Sequence, residues 1–460
     1  MNRQALLLLL GIPAAAALAS LSWAGDLGRH VRTLVLVWGA AHALYLAASW
    51  VVLRGGAATG GRSRGLWLVL LVGLVPRLLL LPSAPTLSED LYRYLWDGRL
   101  VAAGVNPYPH PPSDPALARF RDGLFAKLNH ADVPTVYPPA AELLFGAAAR
   151  VEPSPRAWKG LLFLLEALLV AALAWLLARR GLPAERLLLY YWNPLVVVEC
   201  YGSGHVDLAT AAFLVLSLAL LERGRSIGAG VTFALAALTK YVPLLLVPAV
   251  ARRRRWATLA VAAVAGALLF APFTGAGRAL WGGLEAYTRN WEWNGSLYAI
   301  LRPHFHRGDP PRLILAVALA AASLGIAWRA RTATGATLAL WIAFLLASPT
   351  VFPWYLVPAV ALLPLHPDAG FLLFSGLVAL SYLPLPAFRA TGLWALPPWM
   401  PWVEYGGLVS AWIVAAAARR SGRARRVRAG TEARGAGRRP GSGPAHGVDE
   451  RDSAHVQEPE

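Results

Sequence analysis

The chain has a single cysteine, Cys200, and only three lysines among its 43 basic residues. One thiol excludes an intramolecular disulfide and any thiolate metal cluster. The sequence carries no His-Glu-x-x-His, no acidic residues at calcium-loop spacing and no glycine-rich phosphate loop. It therefore gives no reason to expect a metal or cofactor, and it lacks the nucleotide site of an ATP-driven pump. No internal repeat is visible. Acidic residues are also scarce, 25 in all, which leaves a formal net charge of +18. The arginines lie mainly in short connections between apolar runs and in the C-terminal tail. That pattern orients membrane proteins and does not point to nucleic acid as a partner.

What the chain does have is apolar sequence. It is 57% hydrophobic over 460 residues, with a mean hydropathy of +0.49, and its runs recur at membrane-spanning length. The expected fold is all-α, a polytopic transmembrane helical bundle of about 12–14 spans with extracytoplasmic loop caps. Spans read near 4–24, 31–53, 66–82, 159–178, 187–201, 206–221, 227–239, 241–251, 256–273, 311–328, 334–348, 353–366, 370–386 and 403–418. The first suits an uncleaved span better than a signal peptide, because so many spans follow it.

Short loops carrying Arg54, Arg62 and Arg64; Arg179, Arg180 and Arg186; Arg223 and Arg225; Arg252 to Arg255; and Arg329 and Arg331 should be cytoplasmic. That assignment requires two half-spans between 227 and 251, since a single span would send the four arginines at 252–255 outward. Pro243 makes a break there cheap, and Lys240 then sits at an external turn. Residues 1–418 form the membrane domain, with external loops 83–158, 274–310 and 387–402. The last of these is rich in tryptophan suited to the headgroup level. The tail, 419–460, reads as disordered, basic and cytoplasmic, with membrane lipids as its neighbours.

Chemistry concentrates in Ser88-Glu-Asp-Leu-Tyr-Arg-Tyr-Leu-Trp-Asp-Gly-Arg99. In a helix, Asp90, Arg93, Tyr94 and Asp97 share one face, while Glu89 points about 100° away. A carboxylate just outside a span can act as general base towards a hydroxyl. Ser88 capping a helix with acids in its first turn is the alternative, and it explains Arg93, Tyr94 and Asp97 less well. Trp192-Asn193-Pro194 and Gly202-Ser-Gly-His205-Val-Asp207 interrupt apolar runs, and polar groups at that depth line a cavity or pair with one another. Lys240 is a compact cation able to meet a phosphate, or else a snorkelling residue. Glu166 reads as an interhelical hydrogen-bond partner. Asn294-Gly-Ser296 matches a glycosylation acceptor of a kind that arises by chance.

Together, Glu89 to Arg99, Gly104-Val-Asn-Pro-Tyr108, Tyr137-Pro-Pro-Ala140, Trp192-Asn-Pro194, Gly204-His-Val-Asp207, Thr239-Lys240 and Phe352-Pro-Trp-Tyr355 resemble bacterial multispan glycosyltransferases of the GT-C class. The branch they resemble is the polyprenyl-phosphate-mannose-dependent, mannosyltransferase-like one. The resemblance covers nearly everything except the tail. It implies a polyprenyl-phosphate sugar donor, a lipid or glycan acceptor, an acidic base in the first external loop and inversion at the anomeric carbon, in the inner (plasma) membrane with the site on the extracytoplasmic side. Carried onto this chain, the base falls on the Glu89–Asp90 pair, with Asp90 favoured, and His205 matches a position that assists the acid. Arg93, Tyr94, Asp97, Asn193, Asp207, Lys240, Arg302 and Tyr355 form the candidate substrate-binding set. A transporter or flippase of a lipid-linked saccharide is the rival class, but it leaves the external caps and the acidic motif without a purpose. A structural subunit would tolerate substitution of Asp90, His205 and Lys240.

Overall fold

The computed structural model describes residues 2–55 and 62–436, with backbone alone at 62, 63 and 422–436. The middle of the second connection, the Arg62 side chain and the tail at 437–460 lie outside the described residues. Contacts divide the chain into one unit, Met1–Ala411, and a second, Trp412–Glu460.

The first unit opens with α1 (Arg3–Ser20), α2 (Val31–Arg54) and α3 (Arg62–Leu80). Two short cap helices follow, α4 (Asp90–Ala102) and α5 (Pro139–Val151), and then the long α6 (Pro155–Arg179). The expected span at 187–201 is broken. Pro194, which has no N–H to donate, separates α7 (Leu188–Tyr191) from α8 (Pro194–Val197), and a π-helical turn, Val198–Ser203, completes the stretch. Next come α9 (Asp207–Glu222), α10 (Ser226–Thr239), α11 (Val247–Arg252) and α12 (Trp256–Phe270). The break required between 227 and 251 is present: Lys240 is extended, at φ −154° and ψ 133°, and a 3₁₀ turn, Val242–Leu246, leads into α11. The second cap holds α13 (Gly282–Asn290) and α14 (Ser296–Leu301), followed by α15 (Asp309–Arg329), α16 (Ala333–Ala347), α17 (Val357–Val360), α18 (Ala369–Leu377) and α19 (Leu385–Thr391). The last helix, α20, begins at Met400 and continues to Ala436. The disorder expected from 419 is thus not found as far as 436, where alanine and arginine are strong helix formers.

Among the described residues, six helical stretches are long and apolar enough to cross a membrane, and three shorter apolar helices accompany them. Exposed Leu36, Val264, Leu268, Val317 and Trp328 give these helices lipid-suited outer faces. α9 is the opposite case, buried nearly all round and packed against α6 and α10. Apolar burial discriminates little between lipid and protein interior, so close backbone approach and polar pairing must hold such a bundle. At Gly230 a Cβ would lie 2.6 Å from the Thr258 carbonyl oxygen, which shows how closely α10 and α12 cross. Arg77, 0% exposed, binds Glu166 through Nε at 2.7 Å and Nη2 at 2.9 Å, and Tyr190 and Tyr201 donate to the same carboxylate. Glu166 is therefore the interhelical partner its position suggested.

Helices α6 and α9 run side by side in the same direction. Near their starts the Trp158 indole N–H donates to the Gly204 carbonyl at 2.7 Å; at their far ends Arg180 pairs with Glu222. The α9 helix between these contacts has 16 residues, a length of roughly 24 Å. Arg180 also reaches Thr334, and Arg253 donates to the Ala330 carbonyl. The loops at 179–186, 222–225, 252–255 and 329–334 thus gather at one end of the bundle.

Candidate active site

The opposite end, where α6 and α9 begin, collects the chemistry. Asp90 occupies the first turn of α4, where its backbone N–H donates to the Ser88 hydroxyl at 3.2 Å. Glycine at position 98 permits α4 to lie directly on α5, since a Cβ there would come within 2.5 Å of the Phe145 carbonyl oxygen. The shared face exists as the spacing required. Arg93 Nε binds both Asp97 oxygens, at 3.0 and 2.9 Å, and its Nη1 donates to the Val133 carbonyl. Tyr94 stacks on Phe145 at 4.6 Å and meets Tyr137 and Trp158 edge-on, with its hydroxyl hydrogen-bonded to the Val206 backbone. These three residues are engaged by the protein itself and brace the floor beneath Asp90.

One member of that floor was not singled out from sequence. Glu142 on α5 is fully buried, and the Thr135 hydroxyl lies 2.6 Å from its Oε1. Burial, then the neighbouring Asp97 charge, pushes its carboxyl well above the usual range. The Thr135 hydroxyl, which donates to Glu142 Oε1, is also hydrogen-bonded to Asp97 and so ties the two carboxyls together.

The second wall comes from the turn after the π-helical segment. Gly204 adopts φ +80°, and a Cβ there would meet Leu91 Cδ1 at 2.5 Å. Lys159 Nζ donates to the Ser83 and Gly202 carbonyls at 2.7 and 2.8 Å. So anchored, the turn presents His205 and Asp207 to α4. His205 Nδ1 lies 3.8 Å from Asp90 Oδ2, and Nε2 lies 3.4 Å from Glu199 Oε2. The imidazole is stacked on Trp354 at 3.7 Å with an interplanar angle of 12°. Asp207 binds Lys240 Nζ, which stands 3.4 Å from the centroid of the Tyr355 ring. The Tyr355 hydroxyl meets that of Tyr287.

Asp90 is partly open, with 26% of its side chain exposed. Burial first, and the adjacent Glu89 charge second, push its carboxyl up to about 6, against the pull of Asn129 and Lys240. A carboxylate so placed is ionised at neutral pH yet more basic than a solvated one.

Asp90, His205, Asp207, Lys240 and Tyr355 are therefore brought together, and Glu89 adjoins them in the chain. Asn193 and Arg302 keep other company. Asn193 caps α8, and its Nδ2 donates to Tyr45 at 3.2 Å and Ser375 at 3.0 Å. Arg302 donates to the Phe305 carbonyl and lies 3.8 Å from Glu292. Glu199, Trp354, Tyr287 and Tyr382 join the cluster without having been marked individually. Glu199 offered one signal, a lone carboxylate in an apolar run. Among the described residues no group of three His, Cys, Asp or Glu side chains is arranged to hold a metal ion.

An all-helical protein with apolar spans and a basic-carboxylate cluster at one end of its bundle has the make-up of a membrane glycosyltransferase. The family model for the alpha-(1→6)-mannopyranosyltransferase N-terminal domain matches residues 7–275, and the chain belongs to that family. It is thus a mannosyltransferase. The matched segment includes Asp90, Glu199, His205, Asp207 and Lys240, whereas Trp354, Tyr355 and Tyr382 lie beyond it. No curated protein and no solved structure matches the chain.

Proposed function

We infer that the protein transfers mannose from a polyprenyl-phosphate carrier to a lipid or glycan hydroxyl on the extracytoplasmic face of the plasma membrane, with inversion. The observation that carries this reading is the convergence of Asp90, His205, Asp207 and Lys240 at the end of the bundle away from the arginine loops. Arginine-bearing loops stay cytoplasmic, which directs the cluster outward, where a soluble sugar nucleotide is not at hand and a lipid-borne donor is. Asp90 takes the acceptor proton as the oxygen attacks an anomeric carbon of oxocarbenium character. Phosphate leaves without needing an acid, and Lys240 offsets its charge. Arg93, Tyr94 and Asp97 serve by holding α4 in place. An α product formed by inversion requires the mannosyl–phosphate bond of the donor to be β.

The test is transfer by the purified protein in nanodiscs from radiolabelled β-mannosyl polyprenyl phosphate, with GDP-mannose alone as the comparison. Label should pass to the acceptor, or to water, from the lipid donor only. Transfer from GDP-mannose alone would reject the donor assignment.

A further inference from the structure

The His205 ring is the least settled group in the cluster. It is fully buried, and neither ring nitrogen has a hydrogen-bond partner. One face of the ring is stacked on Trp354, itself stacked on Phe352 at 4.6 Å. Its two edges face two carboxyls, Asp90 at 3.8 Å from Nδ1 and Glu199 at 3.4 Å from Nε2. Glu199 is the better fixed of the two. It is 0% exposed, the Tyr382 hydroxyl lies 2.8 and 3.0 Å from its two oxygens, and its carbonyl accepts the His205 backbone N–H at 3.0 Å.

We propose that Glu199 is a positioning residue that holds the His205 proton on Nε2, so that bare Nδ1 accepts a hydrogen bond from Asp90 once Asp90 has taken the acceptor's proton. The inference rests on the assignment of Asp90 as base. In the step it serves, the acceptor O–H breaks and its proton moves to Asp90 Oδ2. The acceptor oxygen bonds to the anomeric carbon, and the carbon–oxygen bond to phosphate breaks with its electron pair leaving on phosphate oxygen. The new Asp90 O–H then donates to Nδ1, which favours the protonated carboxyl and strengthens the base. The other tautomer would offer Nδ1–H to the ionised carboxylate and weaken it. Glu89, Asp207, Lys240 and Asn129 also face Asp90, and Lys240 and Lys159 face His205. All of these stay constant when Glu199 alone is changed.

Glu199→Leu, Glu199→Gln and Asp90→Asn would be assayed together for mannosyl transfer across pH. Loss of the acceptor in Glu199→Leu should lower kcat roughly 10- to 100-fold with KM little changed, as expected for a group that acts through the base. The acid limb of kcat/KM should move to lower pH, and Glu199→Gln, which keeps an acceptor oxygen, should recover most of kcat. Wild-type kcat in Glu199→Leu, an unmoved acid limb, or a Gln variant as impaired as the Leu variant would overturn the proposal. Nitrogen NMR of histidine-labelled wild-type protein gives a reading that needs no variant: Nε2–H on His205 supports the proposal, and Nδ1–H overturns it. Full activity in Asp90→Asn would sink the base assignment itself, which the tautomer measurement does not touch.

Discussion

Acidification probes Asp90 directly. Its carboxyl stands at about 6, against 3.8 for an unperturbed aspartate, and only the ionised form can accept a proton. At about pH 5 a group with a pKa near 6 is roughly one-tenth ionised, whereas one near 3.8 is more than nine-tenths ionised. kcat/KM, which reports the free enzyme, should therefore fall about tenfold from its plateau by about pH 5. Glu89 supplies the second cause of the shift and burial the first. Glu89→Gln should accordingly move the acid limb to lower pH without bringing it to the unperturbed value. The assay is mannosyl transfer in nanodiscs over a pH series, with helical content followed by circular dichroism to exclude unfolding. A profile flat down to about pH 5, or a limb that moves upward in Glu89→Gln, would refute the reasoning.

Three further outcomes follow from the packing. Arg77→Met would leave Glu166 buried with only tyrosine donors, which should cost about 3–5 kcal/mol. Combining it with Glu166→Leu should restore much of the loss, and melting of the two single variants and the double variant checks this. Gly98→Ala would set a Cβ 2.5 Å from a backbone oxygen that no rotamer can move. It should lower stability by about 1–3 kcal/mol and reduce transfer by shifting α4, so wild-type melting and turnover would contradict the close crossing of α4 and α5. Lys240→Met would strip Asp207 of its cation and remove charge from the leaving group's side. Turnover should drop on the order of 10²-fold, and an undiminished rate would remove Lys240 from the mechanism.

The parts of this fold that follow local rules were readable from sequence. The face shared by Asp90, Arg93, Tyr94 and Asp97 is a matter of helical period, and the structure has it, with Arg93 and Asp97 paired at i, i+4. The break at Lys240 followed from charge bookkeeping plus Pro243, and it too is present. What could not be read was the purpose of that face. The spacing sets Arg93 against Asp97, but it does not show that Val133 and Thr135 fold back over α4 to take up Arg93 Nη1 and the Asp97 carboxylate. Glu199 escaped notice for a related reason. A π-helical turn, which has no marked periodicity, swings it towards His205, and its other partner, Tyr382, is 183 positions away. For Asn193, a polar residue beside a proline in an apolar run, the spacing gives no hint of the bonds it makes, a cap on α8 and ties to Tyr45 and Ser375. In the tail, composition suggested disorder where helix propensity carries α20 on to Ala436.

Asp90→Asn is the measurement closest to the centre of this account. Because the folded state raises the Asp90 pKa from 3.8 to about 6, it binds that proton more tightly than the unfolded chain does, and the stability this gives at low pH is lost as pH rises through about 6. The neutral asparagine should therefore melt no lower than wild type at neutral pH, while mannosyl transfer from the lipid donor falls by about 10²- to 10⁴-fold. A folded Asp90→Asn protein that transfers mannose at the wild-type rate would contradict the account.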